Sequence, residues 1–407
     1  MEFRAIEPEE LDAFLVSLSN AFSEVEPDED EVRSDKLHLE PDRCFAAIDE
    51  GRIVGCAGAF SLRTTVPGPA AVGTVGTAGI TTVGVLPTHR RQGITRQLMG
   101  RLLEQAHERE EPLATLFASQ GAIYGRFGFG VATTLIDLDV LVERASFVPS
   151  YEPHGRTRLL DRAQAVPRMH RVYEAVVATR PGMIVLSEED FEWLHPAHEK
   201  REHKRFYAVH EDDAGEPDAY AVYNGKHEWP EGLPHVELKI QNLFAATAQG
   251  AADMWRFLLD IDLVSRVIAE NRAIDEPLRW FLNEPRAVRT KLFDGMYARP
   301  VDVASALAAR PYAADGRLVL RVTDRFVPRN EGTYELVAGE GAALCVRTEA
   351  EPELETDANG IGAVYLGGAS WRELARAGRS RELVDGTLAK ADRLFASDPP
   401  PWEPIGF

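Results

Sequence analysis

The stretch Val83-Gly84-Val85-Leu86-Pro87-Thr88-His89-Arg90-Arg91-Gln92-Gly93-Ile94-Thr95-Arg96 brings together residue types that can hold an anion. An apolar strand runs into a basic, glycine-containing loop that opens a helix. Backbone N–H groups at a helix start, backed by the helix dipole, form an anion site. Gly93 lets the backbone approach a phosphate closely, and Arg90 and Arg91 add positive charge. In a chain of net charge −20, such a cluster requires an anionic ligand or a salt-bridge partner. The plain alternative is a strand, turn and helix whose basic turn is only solvated. Downstream, Ile123-Tyr124-Gly125-Arg126-Phe127-Gly128-Phe129 sets a tyrosine beside a glycine-rich turn. A tyrosine of pKa about 10 is well matched to protonating a leaving thiolate, whose thiol titrates at about 8.5. Its plain alternative is a packing tyrosine with a satisfied hydroxyl.

Positioning these groups requires a sheet with helices on it. The opening residues read as a strand, a helix around Leu11–Leu18, and a hairpin of Cys44–Asp49 with Ile53–Phe60. Ala71–Val85 is β-rich, and its Gly73-Thr74-Val75-Gly76-Thr77-Ala78-Gly79 run precedes no helix, so it reads as β structure and not as a dinucleotide loop. Ile94, Leu98, Leu102 and Ala106 recur every four residues, which predicts a helix over 93–108 with one face on the sheet. Strands at Leu113–Ser119 and Thr133–Val142 follow. This order predicts an α/β (α+β) architecture of mixed sheets flanked by helices. A Pro- and Gly-containing stretch, Pro149 to Gly155, reads as a linker. In the next region the strand His235–Leu243 and helix Gln249–Leu259 echo Ile80–Leu103. The last part reads as a small α+β domain, with strands at Arg317–Val322, Gly332–Val337 and Ala342–Arg347, a helix around Trp371–Ala377 and a last helix over Ser380–Ala396. The expected domains are 1–150, 151–290 and 291–407.

The 407 residues exceed the roughly 250–300 at which single cores stop growing, so several domains are expected. No apolar run approaches the roughly 20 residues of a membrane span, and the start lacks a secretory pattern, so the expectation is a cytoplasmic protein. The three cysteines, Cys44, Cys56 and Cys345, have no metal-like spacing and read as small buried hydrophobes. The acidic balance argues against nucleic acid and anionic membranes and suits a cationic ligand. His195-Pro196-Ala197-His198-Glu199-Lys200-Arg201-Glu202-His203 alternates charge as an exposed helix face does, so no metal is expected.

Arg90-Arg91-Gln92-Gly93-Ile94-Thr95 resembles the pyrophosphate loop of the GCN5-related N-acetyltransferase (GNAT) family, with Thr95 where glycine or alanine is usual. Tyr124 through Phe129 resembles that family's Tyr-x-x-x-Gly-Phe. The resemblance implies acetyl-CoA as cosubstrate and no metal. It places the pantetheine arm on Val83, Gly84 and Val85, the pyrophosphate on the loop from Arg91 to Arg96, and the thioester beside Ser119 and Gln120. Tyr124 is then the general acid. Motif order, length and the small last domain resemble the Eis-type (enhanced intracellular survival) branch. That implies two tandem GNAT-type sheets, the second degenerate, and a sterol-carrier-protein-like C-terminal domain. It also implies a homohexamer and a terminal carboxylate as base, here that of Phe407. The tail Pro399-Pro400-Pro401-Trp402-Glu403-Pro404-Ile405-Gly406-Phe407 suits ordering, since its prolines reduce the entropy lost. A free terminal carboxyl near pKa 3.5 is a weak base unless desolvated. In such a protein the segment from Phe22 through Glu24, Glu26 and Asp28 borders the acceptor pocket, and with Glu403 it would meet an aminoglycoside- or polyamine-like cation. A protein lysine as acceptor and a non-catalytic CoA- or lipid-binding scaffold are the alternatives.

Overall fold

A computed structural model describes residues 1–25, 39–68, 72–196, 204–229, 232, 235–339 and 342–407. It divides into two compact units, 1–133 with 295–401 and 405–407, and 134–294 with 402–404.

The first unit holds two sheets. One runs in the order β1 (Glu2–Ala5), β2 (Cys44–Asp49), β3 (Arg52–Val66), β4 (Gly73–Val85), β5 (Leu113–Phe117), then the strand Met296–Pro300, then β6 (Gly130–Val131). Helix α1 (Leu11–Phe22) covers one face, where Phe14 and Leu15 pack with Cys44, Cys56 and Phe60. Helix α2 (Ile94–Glu108) covers the other, and its stripe of Ile94, Leu98, Leu102 and Ala106 is buried as the four-residue spacing predicts. The five-stranded second sheet runs Ala342–Arg347, Gly332–Gly339, Gly316–Thr323, Leu354–Asp357, Ser380–Glu382. Its core joins Leu318, Leu320, Trp371, Leu394 and Phe395. The last helix is shorter than expected, Thr387–Phe395, and Ser380–Glu382 is a strand paired with Leu354–Thr356.

The second unit is one mixed sheet, in the order Val288–Asp294, Thr134–Leu141, Val264–Ala273, His235–Ala245, Pro217–Glu228, Phe206–Glu211, Arg156–Leu160. Helix Ala248–Leu259 connects its one parallel pair. The stretch read as a linker lies inside this unit, because Tyr151 packs on its core and donates a hydrogen bond to Asp253. All three cysteines are buried, and no helix among the described residues is long and apolar enough to cross a membrane.

Candidate active site

The basic loop between β4 and α2 is built to present donors. Arg91 and Gly93 both adopt left-handed backbone, at φ 64 and φ 80. Gly93 takes that conformation without a side-chain clash, while Arg91 holds it at a cost. Alternating handedness of this kind turns successive N–H groups toward one concavity. Arg90 ties the loop down, Nη2 donating to Ala21 O at the end of α1 at 2.9 Å. Among the described residues no carboxylate lies within ion-pair distance of Arg90, Arg91 or Arg96; Arg96 instead stacks over Phe326 at 5.0 Å. Gln92 is exposed, Ile94 is buried in the core, and Thr95 lines the adjoining cleft.

That cleft encloses about 370 Å³. Val83, Gly84, Val85, Arg90, Thr95, Ser119, Gln120 and Tyr124 line it, together with Ala21, Phe22 and Ile123. It exists because β4 and β5 pair over only three residues, Thr77–Gly79 against Leu113–Thr115, after which the strands part. A bulge at the far end of β4, with Thr82 at φ 52, turns Val83–Val85 relative to β3. At Gly84 a Cβ would lie 3.0 Å from both Ala21 and Leu18, so a glycine keeps α1 close to this strand.

Tyr124 ends a single helical turn, Gly121–Tyr124, and is only 5% exposed. Burial pushes its hydroxyl pKa up, and a hydrogen bond with the Ser119 side chain partly offsets this. The net result is a hydroxyl that holds its proton at neutral pH, as a proton donor must. Its ring meets Phe129 edge-on at 6.3 Å.

The chain end seats an aromatic ring where β4 and β5 part. Phe407 meets Phe117, the last residue of β5, at 5.4 Å and Phe60 of β3 at 6.4 Å, both edge-on. A Cβ at Gly79 would come within 3.0 Å of that ring and 2.3 Å of Leu62. Gly79, Phe60 and Phe117 were not legible as site residues; the glycine run that includes Gly79 marked only β structure. Residues Trp402–Pro404 belong to the second unit. There Trp402 stacks on Phe244 at 5.0 Å and donates to Asn271 O at 2.8 Å. Glu403 is fully buried, its Oε2 accepting from Ile184 N–H at 2.7 Å.

Of the acceptor-side residues, Phe22 is 45% exposed and lines the cleft, and Glu24 is exposed just past α1. Glu26 and Asp28 lie outside the described residues, as do 197–203 of the histidine stretch. His195 is buried, which lowers its pKa to about 3, so it is a neutral core residue.

Residues 2–132 match an acetyltransferase (GNAT) domain, 182–300 a second acetyltransferase (GNAT) domain, and 303–404 a sterol carrier protein domain. An uncharacterized N-acetyltransferase of Streptomyces avermitilis is 36% identical over 409 residues, covering 100% of this chain and 99% of that one. The N-acetyltransferase Eis of Mycobacterium tuberculosis is 33% identical over 362 residues, covering 86% of this chain and 84% of Eis. The crystal structure of Eis1 from Mycobacterium abscessus aligns over 100% of both chains with a TM-score of 0.86 at 29% identity. Two GNAT folds in tandem, a sterol-carrier-like domain behind them and full-length relatives of this kind make the chain a member of the Eis-like N-acetyltransferases of the GNAT family.

Proposed function

We propose that this enzyme moves the acetyl group of acetyl-CoA to a primary amine of a cationic small molecule, aminoglycoside- or polyamine-like, with Tyr124 as general acid and the Phe407 carboxylate as general base. The observation that carries the reading is the buried, proton-holding Tyr124 in a cleft whose opposite wall is the open edge of β4. The backbone of Val83–Val85, beyond the three residues of β4 that pair with β5, receives the pantetheine arm. Arg90 to Arg96 receive the pyrophosphate, and Ser119 and Gln120 flank the thioester.

The amine nitrogen attacks the thioester carbonyl carbon, and the Phe407 carboxylate takes the proton that nitrogen loses. The carbon–sulfur bond then breaks and Tyr124 protonates the sulfur, releasing free CoA and the amide. The Phe407 ring packs among Phe60, Phe117 and Gly79, which anchors the chain end where β4 and β5 part. Glu24, exposed just past α1, is the acceptor-side carboxylate among the described residues, and the charge of −20 draws polycations toward it. Glu403, fully buried and held by Ile184 N–H, is not part of this set. In this reading the first GNAT domain is catalytic, the second carries no CoA, the last domain supplies the terminal base, and the assembly is a homohexamer.

Acetyl-CoA turnover with a panel of amines tests this, comparing the native chain with one extended by two residues beyond Phe407. Amine acetylation that the extension abolishes while CoA binding persists supports the terminal base. Equal activity of both forms removes Phe407 from the mechanism.

A further inference from the structure

Tyr124 stands on one helical turn, too short to hold its own geometry. The chain continues through the turn Gly125–Phe127 and through Gly128 at φ 86 to Gly130. Local hydrogen bonds across this bend are long: Phe129 N–H to Tyr124 O is 3.4 Å and Gly128 N–H to Gly125 O is 3.2 Å. Stronger restraint comes from two side chains far along the sequence. Asn359 Nδ2 donates to Gly125 O and to Phe129 O, each at 2.7 Å. Arg299, fully buried, donates to Phe127 O and pairs with Asp324 at 2.6 Å.

Asn359 itself is firmly placed. It lies in the first turn of the helix Ala358–Tyr365, where the Asp357 carboxylate accepts from Gly360 N–H at 2.9 Å. The helix reaches the bend through glycines. A Cβ at Gly130 would fall 2.0 Å from Asn359 O, and one at Gly362 would fall 1.9 Å from Ala298 O.

We propose that Asn359 is a positioning residue for Tyr124, the C-terminal domain thereby setting the geometry of the proton donor. One planar amide bridges the carbonyl just after Tyr124 and the carbonyl of Phe129, whose ring packs against the tyrosine. Its two N–H bonds have a fixed separation, so the bend cannot open without losing one of them. Displacement of a reacting group by about 1 Å can cost roughly 100-fold in rate, so this restraint acts on turnover more than on donor binding. The inference rests on the reading of Tyr124 as the acid.

The test is a double-mutant cycle in the full chain, with kcat and the KM for acetyl-CoA measured for Asn359→Ala, Tyr124→Phe and the pair. Asn359→Ala is expected to lower kcat roughly tenfold with KM within about twofold, and to cost nothing further once the hydroxyl is gone. The near-isosteric Asn359→Asp loses the amide donor and is read the same way if the alanine variant does not fold. Unchanged kcat in a folded Asn359 variant overturns the proposal. So does an equal loss in the Tyr124→Phe background, which would mark Asn359 as a general structural residue. Wild-type kcat in Tyr124→Phe alone would instead remove Tyr124 as the acid, and this inference with it.

Discussion

Two strand–loop–helix corners of this chain have the same connectivity and opposite contents. In the first, β4 passes through Leu86–Gly93 into α2; in the second, the strand His235–Ala245 passes through Ala246 and Thr247 into the helix Ala248–Leu259. Each helix leads to a parallel strand that separates from its partner beyond a short ladder. At the first corner the helix start is basic, lacks a side-chain cap and adjoins a cleft. At the second, Thr247 Oγ1 caps the helix by accepting from Gly250 N–H at 2.8 Å and donates to Asp218, which holds His210 at 2.5 Å. A carboxylate thus occupies the helix start where an anionic ligand would sit. The gap beyond the ladder is filled as well, by Arg272 donating to Leu243 O and by Trp402 donating to Asn271 O. A helix N-terminus is a ligand site only where the protein leaves its donors unspent.

Substitutions at the two corners have different expected effects. Tyr124→Phe at the open corner should lower kcat by about 10²–10⁴-fold while leaving the KM for acetyl-CoA near its native value, measured in steady state. Trp402→Ala at the filled corner removes a side chain only 4% exposed and should destabilise the second unit by about 3–5 kcal/mol, read by denaturant unfolding. Asp218→Asn should cost about 2 kcal/mol by breaking the buried pair, with no change in acetyl-CoA KM. A raised KM there would mean the second corner is not inert.

The same pair has a pH signature. Burial alone would lower the His210 pKa, but hydrogen bonds to Asp218 and the His154 carbonyl raise it above its usual value. Its stabilisation is fully present below the unfolded value of about 6.5 and fades as pH rises through the higher folded value. The native Tm should therefore fall over that range and the Asp218→Asn Tm should fall less, since the His154 carbonyl and Asp253 still face the imidazole. Smallest of all, Gly93→Val, strained at φ 80, should raise the KM for acetyl-CoA roughly tenfold, about 1.4 kcal/mol, with kcat little changed.

How much was legible follows from distance along the chain. The basic loop, the helix stripe and the tyrosine motif are runs of neighbouring residues, and their chemistry depends on periodicity and order. The strand Met296–Pro300 was invisible as a member of the first sheet, because it enters between β5 and β6 from more than a hundred residues away. The strand Thr134–Leu141, sequential to the first sheet, pairs in the second for the same reason.

The sequence alone therefore determined the family, the two sheet-and-helix repeats and the local donors of the loop, since these reside in consecutive residues and their spacing. Tertiary structure decided the rest. Folding seated Phe407 on Gly79 and Phe117, buried Tyr124 at the cleft, and filled one corner with Asp218 and Trp402 while leaving the other open. Each of those outcomes depends on which distant groups exclude water from a given spot. No reading of spacing contains that information.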